Sequence, residues 1–122
     1  MKILILEDDP QRMAWFVDTM GKNHSLYIAS SVEKAKEYFL VEKPFDVIFM
    51  DHDLDGRVYV DSLEPNTGWQ FARFLSKQKI GITLVFCHSQ YKKGADNIKA
   101  MLPCTILLPF YLLIFLKEIL DK

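Results

Sequence analysis

The chain has little of what would commit it to a polyanion, an oxidising compartment or a membrane. Its 15 Lys and Arg stand against 16 Asp and Glu, a formal charge of −1. That supplies no global footprint for long nucleic acid or an anionic bilayer, so such a partner would have to be met by a local patch. Cysteine occurs only at Cys87 and Cys104, both in apolar contexts, which suits buried thiols in a reducing compartment better than a bridge. No secretory signal opens the sequence: Met1-Lys2 leads at once into a short apolar run and then acids, and the expected location is cytoplasmic. No apolar run is long enough for a span of ~20 residues. The nearest, Ile106 to Leu120, contains Pro109, ends in Lys117 and Glu118, and reads as a buried strand followed by a core-facing helix. Repeats, low-complexity tracts and linkers are missing too. The 122 residues, half apolar and a quarter charged, therefore predict one globular domain over 1–122.

What is present is a series of short apolar runs that end abruptly in polar chemistry. Ile3 to Leu6 predicts a buried strand and stops at Glu7-Asp8-Asp9, three carboxylates that repel unless solvated or neutralised by a cation. Asp9 and Pro10 then suit a helix start, with Met13, Phe16, Val17 and Met20 as its inner face and Gly21 at its end. Leu26 to Ala29 predicts a second strand. Ser30 with Glu33 fits a capping box for a helix whose inward stripe is Val32, Ala35 and Phe39. After Pro44, Phe45 to Met50 predicts a central strand ending in Asp51-His52-Asp53. A long loop, Leu54 to Asn66, follows, and loops of that length in a compact domain tend to be functional. Thr67 and Gln70 repeat the capping-box pattern before a helix buried through Phe71, Ala72 and Leu75. Gly81 introduces a strand Ile82 to Cys87, which ends in His88-Ser89-Gln90. A short helix around Asp96 to Met101, a strand Thr105 to Leu108 and a helix Tyr111 to Leu120 complete the chain.

Strands alternating with helices at this spacing predict an α/β fold of three layers, a parallel five-stranded sheet of flavodoxin-like order 2-1-3-4-5 with helices on both faces. Cys87 and Cys104, at opposite ends of parallel strands, are then poorly placed for a disulfide. The first, third and fourth strands become neighbours, so Glu7, Asp8, Asp51, His52, Asp53, His88 and Ser89 converge on one rim, where ligands bind in such sheets. Clustered carboxylates with little sulfur suit a hard divalent cation, Mg²⁺ first and Mn²⁺ after it.

Ile3-Leu-Ile-Leu-Glu7-Asp8-Asp9-Pro10-Gln-Arg12 resembles the first strand and acidic pair of the receiver domains of bacterial response regulators, and Asp51 matches their phospho-accepting aspartate. The resemblance covers the whole chain. It implies that Glu7, Asp8 and Asp51 hold the metal with the backbone carbonyl of Asp53. Two positions depart from it: His88 with Ser89 stands where receivers carry Ser or Thr, and Leu108-Pro109 stands where they carry Lys-Pro. A narrower set, Asp51-His52-Asp53-Leu54, Asn66-Thr67-Gly68, His88-Ser89 and Gly94 to Asn97, resembles the divergent cyclic-phosphate-processing receiver domains. That likeness implies action on 2′,3′-cyclic phosphate ends of RNA or nucleotides, although Tyr91 occupies a place where Asn is frequent.

For several residues two readings stand. His52 and His88 fit a general acid and base pair for opening a cyclic phosphate, or each orients a loop by hydrogen bonding. Ser89 orients a phosphate or attacks one, and Thr67 either contacts a phosphate or caps its helix. Lys92, Lys93 and Arg57 are solvated, or supply the phosphate contact that Leu108 cannot. His24 is expected at the surface. Trp15 and Trp69 are core or interface residues, and the apolar Leu112 to Leu116 run points to a protein partner or homodimer through the last helix. No DNA-binding output domain is expected. Three functions follow: metal-assisted hydrolysis of cyclic phosphates, phospho-acceptance at Asp51 in two-component signalling, or a non-catalytic interaction module.

Overall fold

The computed structural model describes residues 1–120, with the backbone alone at 117, 119 and 120. The strands are β1 (Lys2–Leu6), β2 (Ser25–Ala29), β3 (Val47–Met50), β4 (Leu84–Cys87) and β5 (Ile106–Leu107). The helices are α1 (Pro10–Met20), α2 (Val32–Glu42), α3 (Gly68–Ser76), α4 (Lys92–Met101) and α5 (Leu113–Leu120), the last entered through a 3₁₀ turn, Phe110–Leu112. All strand pairs are parallel, in the order β2-β1-β3-β4-β5, which is the expected flavodoxin-like sheet.

Because strand side chains alternate between faces, β1, β3 and β4 feed two cores. Leu4, Leu6, Ile48, Met50, Val85 and Cys87 pack under α2, α3 and α4. Ile3, Ile5, Val47, Phe49 and Phe86 pack on the opposite side with Phe16 and Met20 of α1 and Leu113 of α5. With both faces covered, only the strand ends are free to present polar groups. The register aligns those ends. Leu6 pairs with Met50 and Met50 with Cys87, so Glu7, Asp51 and His88 are the next residues on three adjacent strands.

Local expectations shift by a residue or more where packing overrides pattern. Ser31, not Ser30, caps α2, its hydroxyl accepting from the Lys34 amide at 3.2 Å, because Val32 must already be buried. Val17 is half exposed. The buried arc of α1 runs through Phe16 and Met20 instead, with the Trp15 ring 5.1 Å from that of Phe110. Ile82 is fully exposed, beyond the Gly81 turn, so β4 begins only at Leu84. Helix α4 starts at Lys92, earlier than the expected Asp96, to bring Gly94 against the β3 end. Cys87 is buried, whereas Cys104 is exposed in the turn before β5, and both are free thiols. Among the described residues no helix is long and apolar enough to cross a membrane.

Candidate functional site

At the C-terminal ends of β1, β3 and β4, Glu7, Asp51 and His88 are 0%, 6% and 0% exposed. Each can offer one ligand atom to a point between them, and those atoms all lie within 4.8 Å of one another. Backbone ladders set the spacing: the Asp51 amide donates to the Leu6 carbonyl and the His88 amide to the Met50 carbonyl, both at 3.0 Å. His88 Nε2 lies 3.0 Å from Glu7 Oε1, and His88 Nδ1 is buried without a hydrogen-bond partner among the described residues. The other Glu7 oxygen, Oε2, accepts from the amides of Asp8 and Asp9. Asp51 Oδ1 accepts from the His52 amide at 2.8 Å.

Buried carboxylates need compensation, and Arg12 supplies it. Its Nη1 is 3.2 Å from Asp51 Oδ2 and 3.5 Å from Glu7 Oε1, and the guanidinium lies over the Phe110 ring. Burial alone would raise the Glu7 carboxyl. The His88 hydrogen bond and charge, the Asp9 amide and Arg12 outweigh it and hold Glu7 below its ordinary value. Asp51 goes the other way: burial, with the Glu7 charge added, pushes it up against the pull of His88 and Arg12. Asp8 is also raised, first by burial and then by Glu7 and Asp55, against the Gly56 amide that it accepts at 2.8 Å.

The long loop after β3 is ordered by the side chains of His52 and Asp53. His52 has no exposed surface; Nδ1 lies 2.7 Å from Asp53 Oδ1 and Nε2 2.7 Å from Ser62 Oγ. Its ring is so closely covered by α4 that a Cβ at Gly94 would lie 2.5 Å from His52 Cγ. Asp53 in turn accepts from the amides of Tyr59 at 2.8 Å and Val60 at 3.1 Å. Thr67 is fully buried and forms no capping bond; its hydroxyl donates to the carbonyls of Ser62 and Glu64. Gln70 likewise donates to Ser62 and Leu63 and closes no capping box. Gly68 follows Thr67 because a Cβ there would collide with the Asp51 carbonyl.

Above the carboxylates opens a cleft of about 440 Å³. Asp8, Arg12, Asp51, Asp53 and Ser89 line it, with Arg57, Tyr59 and Tyr91 farther round the wall. Ser89 Oγ accepts from the Tyr91 amide and shapes the turn into α4. Glu7, His52, His88 and Thr67 do not line the cleft; they lie beneath or behind it. Nor do the two lysines. Lys92 pairs with Asp96 at 2.9 Å and borders a neighbouring groove with Leu108, and Lys93 is exposed on the first turn of α4. Arg57 is on the wall but is paired with Glu64. Among the described residues the cation that reaches the buried acids is Arg12, which the pattern of apolar residues in α1 does not mark. The available signal was its position in the first helical turn, three residues after the Asp9 cap.

A sequence profile described as the cyclic-phosphate processing receiver domain matches residues 2–103. No curated protein sequence matches. Solved structures with the same fold include the receiver domain of Francisella response regulator 1452, 20% identical, covering 99% of this chain and 96% of that one with a TM-score of 0.65. A response regulator receiver protein from Pseudomonas putida is 16% identical, with 99% and 95% covered and a TM-score of 0.71. The response regulator TrrA of Thermotoga maritima, in complex with Mg(2+)-BeF, is 17% identical, with 99% and 96% covered and a TM-score of 0.69. The profile match takes in the acidic end of β1, the β3 end with its loop, and His88-Ser89; on that span, this chain belongs to the cyclic-phosphate processing receiver domain family.

Proposed function

We propose that this domain binds a divalent cation at the Glu7, Asp51 and His88 cluster and opens cyclic phosphodiesters in the cleft above it. The observation that carries the reading is the burial of two carboxylates and an imidazole within 4.8 Å beneath an open cleft. With Arg12 beside it the Asp51 carboxyl is still raised by burial, so a further cation would stabilise the pair; the two carboxylates suit Mg²⁺, and the imidazole moves the preference toward Mn²⁺. Asp8 and the Asp53 backbone carbonyl complete the proposed ligand set from the cleft side. The cation would stabilise charge on a phosphoryl oxygen and acidify a bound water.

The chain's own groups divide the remaining work. Arg12 takes the place of the lysine absent at Leu108 and meets the phosphoryl oxygens; Ser89, which also lines the cleft, orients them. Lys92, Lys93 and Thr67 are left out of this assignment by their positions. His88, fully buried against Glu7, fits a metal ligand better than a group touching substrate. His52 is a positioning residue for the loop. In the reaction one P–O bond forms to a water oxygen and one ring P–O bond breaks. The proton lost by the water is matched by one delivered to the departing ribose oxygen.

Phospho-acceptance at Asp51 is the second reading. It is favoured by Asp51 Oδ2, which faces Arg12 and the cleft while Oδ1 is held by the His52 amide, and by the Mg(2+)-BeF complex of the Thermotoga protein. Phosphorus NMR separates the two. With Mg²⁺, a 2′,3′-cyclic nucleotide should convert to a monoester in the wild type and not in Asp51→Asn. An acetyl-phosphate adduct without turnover of any cyclic phosphate would overturn the first reading for the second.

A further inference from the structure

The cleft wall carries two aromatic residues that the metal and phosphate chemistry does not use. Tyr59 and Tyr91 meet edge to face with ring centroids 5.3 Å apart. Tyr59 remains 75% exposed and lines the cleft that also holds Asp51 and Arg12, so most of its ring surface is uncovered there. Its placement is imposed. The backbone of Tyr59 has φ +55, a left-handed conformation uncommon for a bulky residue, and Asp53 Oδ2 fixes it by accepting the Tyr59 amide at 2.8 Å. The other tyrosine is held from the same source, for the His52 ring lies edge-on to Tyr91 at 5.5 Å. One hydrogen-bonded pair, buried His52 and half-buried Asp53, thus sets both rings. An exposed aromatic ring on the wall of a cleft that also holds Asp51 and Arg12 suits a flat ligand group.

We infer that Tyr59 and Tyr91 form a nucleobase-stacking wall, so that the ligand of the cleft is a nucleoside 2′,3′-cyclic phosphate held at its base as well as at its phosphate. The inference rests on the cyclic-phosphate reading above. Stacking of a base on an aromatic side chain tolerates any base, because every base has a π face. The wall therefore selects for a nucleoside without selecting its sequence. Neither ring touches the reacting atoms; the wall acts on binding alone.

The test compares two ligands in the presence of Mg²⁺: adenosine 2′,3′-cyclic phosphate and methyl riboside 2′,3′-cyclic phosphate, which lacks the base. Affinities are read by ligand-observed NMR competition in the cold, together with the ring-current shifts of the adenine protons. The wild type should bind the nucleoside about tenfold more tightly, with adenine protons shifted upfield. Tyr59→Ala should lose that factor for the nucleoside and leave the base-free diester unchanged. Tyr59→Phe, which keeps the π face, should behave as wild type, and Tyr91→Leu should weaken only the nucleoside. Equal affinity for both ligands in the wild type, with no effect of Tyr59→Ala, would overturn the wall and leave the cyclic-phosphate reading standing. Binding of neither ligand would overturn that reading and the wall with it.

Discussion

Removing Arg12 should move metal and anion affinity in opposite directions. Its guanidinium lies 3.2 Å from Asp51 Oδ2 and 3.5 Å from Glu7 Oε1, so it occupies the electrostatic place that a divalent cation would take. Two unit charges 3.2 Å apart attract by about 5 kcal/mol at an effective dielectric of 20. A third of the Arg12 side chain is exposed, and screening with desolvation reduces the net value to about 1–1.5 kcal/mol. A cation entering the cluster must offset that interaction. Arg12→Ala should therefore bind Mg²⁺ roughly tenfold more tightly, while inorganic phosphate binding to the Mg²⁺-loaded protein falls by about the same factor as its charged donor is lost. Arg12→Lys should lie between, since a point charge keeps the attraction without the two-pronged donor geometry. Isothermal titration calorimetry with MgCl₂, then with phosphate at saturating Mg²⁺, reads both. Weaker Mg²⁺ binding in Arg12→Ala, or unchanged phosphate binding, would refute the counter-ion argument.

Other consequences are direct. Gly94→Ala places a Cβ against a His52 ring that hydrogen bonds hold on both sides, so it should cost about 1–3 kcal/mol, visible in thermal melts as a fall of several degrees. Ser62→Ala should destabilise by ~1–3 kcal/mol, because the hydroxyl also accepts from Asn97 Nδ2 and its loss strands buried His52 Nε2. Cys104 should react with a disulfide reagent in the native protein and Cys87 only after unfolding, since burial pushes the Cys87 thiol up to about 12. Acidification should release the metal early: burial raises the Asp51 carboxyl, so Asp51 takes up a proton at a higher pH than a solvated aspartate would, and Mg²⁺ affinity by titration should fall from there downward. For Glu7 the linkage runs the other way. Its folded value is depressed, so its contribution to stability is present above the ordinary glutamate range and is lost as pH falls through the folded value, which urea melts between neutrality and about pH 3 would register.

The order of the sheet was legible because the first four strands are short apolar runs closed by polar residues, spaced as βα units require. The rim residues followed from it: once β1, β3 and β4 are neighbours, the residue after each apolar run must emerge at one end. Element ends were less legible. Ser30 and Ser31 are equivalent as capping residues in sequence; only the burial of Val32 chooses between them, and burial belongs to the tertiary structure. Val17 fits the helical period as well as Phe16 does, but Trp15 finds Phe110, nearly a hundred residues along the chain, and α1 turns to meet it.

Polar side chains are harder to place from sequence for a related reason: their partners are not their neighbours. Thr67 and Gln70 have the spacing of a capping box, yet the loop carbonyls of Ser62, Leu63 and Glu64 come within reach and take their protons. His52 stands between two acids and looks poised for proton transfer, but its second partner is Ser62, delivered by the fold of a loop with no periodic signal. Arg12 is the clearest case. In α1 it falls off the apolar stripe, and a charged residue there is ordinarily solvated. Only the closeness of the β1 and β3 ends turns its first-turn position into a contact with Asp51, 39 residues away. A charge at a helix start next to a sheet's polar rim is thus better assigned by the rim than by the helix, as the pairing of Arg12 with Asp51 and Glu7 shows.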